Sequence, residues 1–253
     1  MSLYPQILFH FTNKDGLESL LRDDFKVSYA REKIEGKNQT KEFGVPMVSF
    51  CDLRLSELKH HMTKYGKFGI ALSKDWANEK GLNPVWYVNR SSDFADNFSS
   101  ALGGIYRHLD EIKDPESHKG LSEEYMKVVD TYRYIKNYEG KLTREGKTYP
   151  NFRFADEREW RYIPPLNESD VLPFVPISRI RTKANKKEYN EKIKHLRLTF
   201  EPKDIQYLIV ESEQDIMDLI NLLQEAKGRR FSYEEIKRLS SRILTSEQIE
   251  NDI

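Results

Sequence analysis

The sequence predicts an α+β domain, a small central β-sheet with helices flanking it. Two observations carry this. The strand-like runs, such as "ILFHFT" and "PVWYV", are short and aromatic. Strands and helices alternate early, but the middle of the chain, from about Ser91 to Asn137, reads as two helices in succession, which argues against a doubly wound parallel sheet. Residues 1–227 are expected to form this single domain, and residues 228–253 a charged helical C-terminal extension packed loosely against it.

"ILFHFT" (Ile7 to Thr12) is the first strand. Asn13 or Asp15 caps a short helix with Leu17, Leu20 and Leu21 at helical spacing. "AREKIEGKNQTKEFG" is charged, holds two glycines and shows no period, so it reads as an exposed loop. "VPMVSFCDL" is a second strand, "SELKHHMTKYG" a helix ending at Gly66, and "FGIALS" a third strand. Ser73 caps "KDWANEKG", and "PVWYV" follows.

The two middle helices are separated by the turn-rich "DPESHKG", and "YEGKLTREGKTYPN" is a glycine-rich link. "FADEREWRYIPP" (Phe154 to Pro165) reads as one strand and "DVLPFVPIS" as a proline-interrupted edge strand. "KANKKEYNEKIKHLRL" is a basic helix, and "DIQYLIVESEQDIMDLINLLQ" a strand followed by an amphipathic helix.

Composition narrows the function classes. Of the 253 residues, 38% are hydrophobic and 32% charged, with no net charge, which describes a foldable globular chain and excludes a globally basic nucleic-acid binder. The single cysteine, Cys51, rules out an intrachain disulfide and a cysteine zinc site. No signal peptide is read at the start and no long apolar run follows, so a cytoplasmic protein without a membrane span is expected. Walker A, G-x-G-x-x-G, G-x-S-x-G and H-E-x-x-H patterns are all missing.

Three constellations bear on chemistry. On the first strand, alternation puts His10 and Thr12 on one face and Phe9 and Phe11 on the other. A His and a Thr together suit a ligand hydroxyl or amide, while a histidine satisfied by a backbone carbonyl is the plainer alternative. On the "EREW" strand Glu157, Glu159 and Arg161 share a face. They form either an exposed ion-pair ladder, with Arg158 and Arg161 neutralising the carboxylates, or the acidic end of an active site.

Between Ser178 and Lys203, nine Lys or Arg stand against three Glu. This surplus is either a solvated helix face or a phosphate-tracking surface on Lys183, Lys186, Lys187, Lys194 and Arg197. His60 and His61 diverge around their helix and are expected to be exposed rather than metal ligands. No metal is expected.

Taken together, "HFT", "VPMVSFCD", "YGKFGIALSKDWANEKGLNPVWYV", "EREWRYIP" and "LTFEPKDIQYLIVES" resemble the AbiGi-type family of abortive-infection proteins of bacterial phage resistance. That family is described as one component, nominally the antitoxin, of an abortive-infection pair. Its motif skeleton is also similar to a wider set of proteins with a diverged ADP-ribosyltransferase-like fold, including DarT-like nucleic-acid modifiers.

The wider resemblance implies NAD as a substrate. It places His10 at the first-strand position that contacts NAD, and Ser49, or alternatively Tyr65, at the nicotinamide pocket. Glu159 becomes the late-strand carboxylate, Glu157 the group that engages the acceptor nucleophile, and Arg161 or Arg158 a partner for the diphosphate. Two readings follow: an ADP-ribosyltransferase-like effector that modifies a nucleic acid or protein, or a catalytically inactive antitoxin or sensor that binds a partner toxin or phage component. Nucleic acid would lie along the Arg179 to Arg197 patch.

Overall fold

The computed structural model describes residues 5–144, 146–165, 171–225 and 231–252. Strand β1 (Ile7–Thr12) leads into α1 (Lys14–Asp23), where the Asn13 side chain accepts a hydrogen bond from the Gly16 N–H at 2.9 Å. Leu17, Leu20 and Leu21 form the buried face of this helix. A short β2 (Phe25–Lys26) precedes β3 (Ser28–Glu35) and the long β4 (Thr40–Cys51).

β3 and β4 pair antiparallel from Ser28↔Met47 to Glu35↔Thr40, so the charged stretch expected as an exposed loop is a hairpin. Ile34, Phe43 and Val45 are buried beneath it, and charged residues at the remaining positions disguise the alternation. Its turn is closed by the Gly36 N–H donating to the Gln39 carbonyl (2.8 Å) and pinned by the Asp96 carboxylate, which accepts from the Asn38 N–H at 2.8 Å.

A 3-10 turn (Leu55–Glu57) and α2 (Lys59–Tyr65) follow, then β5 (Phe68–Ser73). Ser73 caps α3 (Lys74–Glu79) by accepting from the Trp76 N–H at 3.2 Å. Two short strands come next, β6 (Asn83–Pro84) and β7 (Trp86–Val88), before the helices α4 (Phe94–Glu111) and α5 (Pro115–Tyr132). Most of "DPESHKG", expected as a turn, is the start of α5. Asp114 accepts from the Ser117 N–H at 2.8 Å and Pro115 opens the first turn, where a missing N–H costs nothing.

β8 (Ile135–Asn137) pairs parallel with β7. The expected glycine-rich link is a second hairpin, β9 (Glu139–Arg144) and β10 (Lys147–Arg153), turning at Gly146 with φ of 78°. "FADEREWRYIPP" is not one strand. Phe154–Glu157 is a 3-10 turn, Arg158 sits in the left-handed region (φ 44°, ψ 54°), and only β11 (Glu159–Tyr162) is extended.

β12 (Val175–Pro176) is all of the proline-interrupted segment that pairs, and its first residue, Asp170, lies outside the described residues. The chain continues through α6 (Ile177–Ile180), α7 (Lys183–Lys192), β13 (Arg197–Leu198), β14 (Ile205–Val210) and α8 (Glu213–Glu225). It closes with α9 (Tyr233–Ser240), β15 (Ile243–Thr245) and α10 (Ser246–Asn251).

The α+β class holds, but the main sheet is larger than expected. Among the described residues nine strands take part: the path β15-β14-β5-β1-β4-β11-β6, with β3 and β12 also paired to β4. Within this sheet, among the described residues, only β14 and β15 pair in parallel. The C-terminal extension is therefore structural. It supplies the edge strand β15 and buries Phe231, Ile236, Leu239 and Ile249, while residues 228–230 lie outside the described residues.

One face of the sheet packs Leu8, Phe50, Ile70 and Leu208 against α1, α3, α8 and α9. The other sets Phe9, Phe11, Cys51 and Ile209 against Leu58 and Met62 of the α2 segment and Ile249 of α10. No helix among the described residues is long and apolar enough to cross a membrane.

Candidate functional site

β1 and β4 are neighbours in the sheet, yet their register has one paired position, Phe9↔Cys51. Beyond it the strands part, and the fork opens into a cleft of about 710 Å³, inside the roughly 300–1,000 Å³ range of small-ligand sites. The α2 residues His61 and Tyr65, the β9–β10 hairpin, β3 and the start of α7 wall it.

β11 pairs with β4 on the far side, Glu159 opposite Cys51 and Arg161 opposite Ser49. Side chains directly opposite in a ladder share a face, so Glu159, Arg161, Ser49, Cys51 and Phe9 lie on one side of the sheet. His10 belongs to the other side by alternation and packs edge-on to Phe25 at 5.2 Å. It still reaches the cleft because the strands separate there. Its Nδ1–H donates to the Ser49 carbonyl at 2.8 Å, which leaves Nε2 as the acceptor of the neutral ring. Burial lowers the His10 pKa, opposed by that hydrogen bond.

Glu159 is the most heavily coordinated group in the cleft. One carboxylate oxygen accepts from Ser49 Oγ (3.1 Å) and Arg161 Nε (2.7 Å), the other from Lys136 Nζ (2.6 Å). Its backbone N–H donates to the Tyr87 hydroxyl at 2.8 Å, and burial pushes the Tyr87 pKa up to about 12. Burial alone would raise the Glu159 pKa, but Arg161 and Lys136 overcome it and hold the carboxylate well below its usual range. Arg161 is fully buried and also donates to Glu32 (2.8 Å) and to the Arg133 carbonyl (2.7 Å). Glu159, Glu32, Arg161 and Lys136 thus make a charge-balanced buried cluster, not an exposed ladder.

Glu157 has no such compensation. It is 7% exposed, its Oε1 has no hydrogen-bond partner, and His61 Nδ1 lies 3.9 Å from that oxygen. The Tyr65 hydroxyl bonds to the same carboxylate. Burial raises the Glu157 pKa, and the attraction of Lys136 does not cancel it. His61 cannot serve as counter-ion: burial, then Lys64 and Arg144, lower its pKa to about 3, so it is a neutral imidazole, stacked on Tyr65 at 4.3 Å.

The left-handed turn at Arg158 puts both carboxylates at the cleft although Glu157 is not on the strand. That turn is held by Arg158, which donates from Nε to the Asp52 carbonyl (2.6 Å) and from its guanidinium to Glu57.

These opposite shifts have a testable consequence. The unfolded Glu157 ionises near its ordinary value of about 4.3, the folded one at a higher pH. Stability is therefore lost as pH rises from the unfolded value through the folded one. Glu157→Gln is expected to stabilise the protein at pH 7, with the advantage shrinking as the pH approaches about 4. Urea unfolding of both proteins at the two pH values checks it; an advantage independent of pH would mean Glu157 is not the uncompensated charge.

The cleft gathers His10, Ser49, Tyr65, Glu157, Glu159, Lys183 and Lys186. It excludes six other expected residues. Thr12 turns its Oγ1 toward Gly16 in the first turn of α1. Arg161 has each of its nitrogens engaged inside the protein, so it is not a diphosphate partner. Arg158, the expected alternative, bonds to Asp52 and Glu57 instead.

The basic run divides likewise. Lys187 is exposed outside the cleft, Lys194 pairs with Glu191 at 3.3 Å, and Arg197 donates to the carbonyls of Asp23, Lys194 and Leu196. His60 is exposed as expected, whereas His61 is not. The His61–Tyr65 spacing of i, i+4, which puts two residues on one helix face, was the signal available for it. Lys136, Arg31 and Arg144 had none, since each meets the cleft through tertiary pairing. No group of three or more His, Cys, Asp or Glu among the described residues could hold a metal ion.

Comparison with known proteins adds the family. A family model described as "Putative abortive phage resistance protein AbiGi, antitoxin" matches residues 23–211. The chain belongs to the AbiGi family. It is 32% identical over 234 residues to a protein of Lactococcus lactis subsp. cremoris named "Abortive phage resistance protein AbiGi", covering 87% of this chain and 94% of that one. No solved structure matches. For this AbiGi-family chain the matched span contains the hairpin, both carboxylates and the basic helix, but starts after His10.

Proposed function

We propose that this abortive-infection protein binds an NAD-type dinucleotide in the cleft and acts as an ADP-ribosyltransferase-like effector. The observation that carries the reading is the meeting of His10, Ser49, Glu157 and Glu159 in one cleft at the fork of β1 and β4. Cutting a nicotinamide–ribose bond develops oxocarbenium character at the anomeric carbon, which a carboxylate stabilises.

The roles of the two carboxylates differ from the simplest assignment. Glu159 is neutralised by Arg161 and Lys136, so its part is to position Ser49. Glu157, which lines the cleft and whose buried Oε1 has no hydrogen-bond partner, is the group left for the reacting centre. Nicotinamide departs with the bonding electron pair, the acceptor nucleophile bonds to the anomeric carbon, and its proton passes to Glu157.

The test is calorimetric titration with NAD together with nicotinamide release. Glu157→Gln is expected to keep binding within a fewfold and to lose release by about 10²-fold or more. Release that survives in Glu157→Gln would remove the catalytic assignment. A folded wild-type protein that neither binds nor consumes NAD would sink the reading. The second reading, a catalytically silent antitoxin that engages a partner toxin, would then stand; the "antitoxin" in the description of the matching family favours it.

A further inference from the structure

The mouth of the cleft differs electrostatically from its floor. Deep inside, Lys136 and Arg161 balance Glu159 and Glu32, and Glu157 adds a carboxylate. At the mouth three cations from three separate elements converge: Arg31 of β3, Arg144 of β9 and Lys186 of α7. Their mutual repulsion is felt at Lys186, whose pKa is lowered first by burial and then by Arg31 and Arg144. No carboxylate of the described residues lies within ion-pair distance of any of the three.

Two of these cations are fixed in place. Arg31 donates from Nε to the Ile180 carbonyl (2.9 Å) and from Nη2 to the Arg181 carbonyl (2.6 Å). Arg144 donates from Nε to the Lys64 carbonyl (3.2 Å) and lies 4.2 Å over the Tyr65 ring. The Lys186 side chain makes no hydrogen bond or ion pair with a described residue, its backbone N–H alone donating to the Thr182 carbonyl (3.1 Å), and Lys183, one turn earlier on α7, also lines the cleft. Held like charges without a counter-ion destabilise the empty protein, and a multiply charged anion removes that cost.

We propose that Arg31, Arg144 and Lys186, with Lys183 beside them, form a phosphate-binding subsite at the mouth of the cleft. A phosphate or diphosphate supplies the missing negative charge and accepts from the two guanidinium groups and the ammonium group at once. The positive end of the α7 dipole adds to the field. The subsite goes beyond the NAD reading and does not depend on it, because it requires a phosphoryl group and no glycosidic cleavage. It also relocates the phosphate-tracking part of the basic run to Lys183 and Lys186, and away from Lys187, Lys194 and Arg197.

The experiment measures equilibrium binding of inorganic pyrophosphate, ADP and a ten-nucleotide thymidine oligomer to the full chain. The proteins are wild type, Lys186→Ala, Lys186→Glu and Lys187→Glu, each first confirmed to melt like wild type. The Lys186 side chain bears no internal pairing, so its replacement tests the ligand rather than the fold. Saturable pyrophosphate binding is expected, weakened about tenfold or more by Lys186→Glu, less by Lys186→Ala, and within about twofold by Lys187→Glu.

The ligands distinguish the phosphate's source. An oligomer that binds more tightly than ADP and competes with pyrophosphate assigns the subsite to a nucleic-acid backbone, and an oligomer that fails to compete assigns it to a free nucleotide; both support it. Absence of saturable pyrophosphate binding, Lys186→Glu binding as wild type does, or equal loss in Lys187→Glu would overturn it. A wild-type protein that binds pyrophosphate but neither binds nor consumes NAD would count only against the NAD reading.

Discussion

Arg161→Leu is expected to cost about 3–5 kcal/mol of folding stability, because it leaves Glu159 and Glu32 with Lys136 as their one remaining cation and so strands one carboxylate charge. Arg161 is fully buried and ion-paired to Glu159 and Glu32, and its remaining nitrogen satisfies the Arg133 carbonyl. Leucine fills part of the volume but supplies no charge and no donor. Chemical denaturation of wild type and variant at pH 7 measures the loss. Adding Glu159→Gln to Arg161→Leu is expected to restore part of it, since the stranded charge is then gone. A loss below about 1 kcal/mol would mean that the cluster is solvated like a surface pair.

Gly66→Ala is expected to cost about 3 kcal/mol, combining left-handed strain with overlap. Gly66 ends α2 with φ of 112°, where residues with side chains rarely sit. A Cβ there would lie 2.2 Å from the Thr12 carbonyl oxygen and 2.8 Å from its carbon. That neighbour is backbone of β1 and cannot rotate away. The close approach also locks α2, with His61 and Tyr65, against the strand that bears His10. A second readout follows: the variant is expected to bind any cleft ligand more weakly as well as to melt earlier. Wild-type stability in Gly66→Ala would show that the end of α2 is free to shift.

How far the site was legible depends on the residue. His10 was visible as a polar residue in an aromatic strand. Both readings of it apply, for it lines the cleft and donates to a carbonyl. Glu157 and Glu159 stood out as a carboxylate pair, but their local structure did not. Alternation assumes extended backbone, and the left-handed residue Arg158 breaks it between them. Their inequality was invisible too, since it rests on Lys136 and Arg161 reaching one carboxylate and not the other. The β3–β4 hairpin was misread because its strand carries Arg31, Glu32, Lys33 and Glu35, charges that mask the apolar period while Ile34 is buried.

By itself the sequence determined what local chemistry can encode. Asn13 and Ser73 as helix caps, Gly66 as a helix end, the leucine face of α1 and the strand–helix unit of β14 and α8 all depend on neighbours a few residues apart. Tertiary structure alone decided the fork between β1 and β4, the strand contributed by the C-terminal segment, and the balanced cluster around Glu159. It also decided the cations at the cleft mouth, drawn from positions 31, 144 and 186. The physical reason is range. Caps and helical stripes are short-range, whereas a buried charge takes its ionisation state from whatever the fold brings within a few ångströms, however distant in the chain.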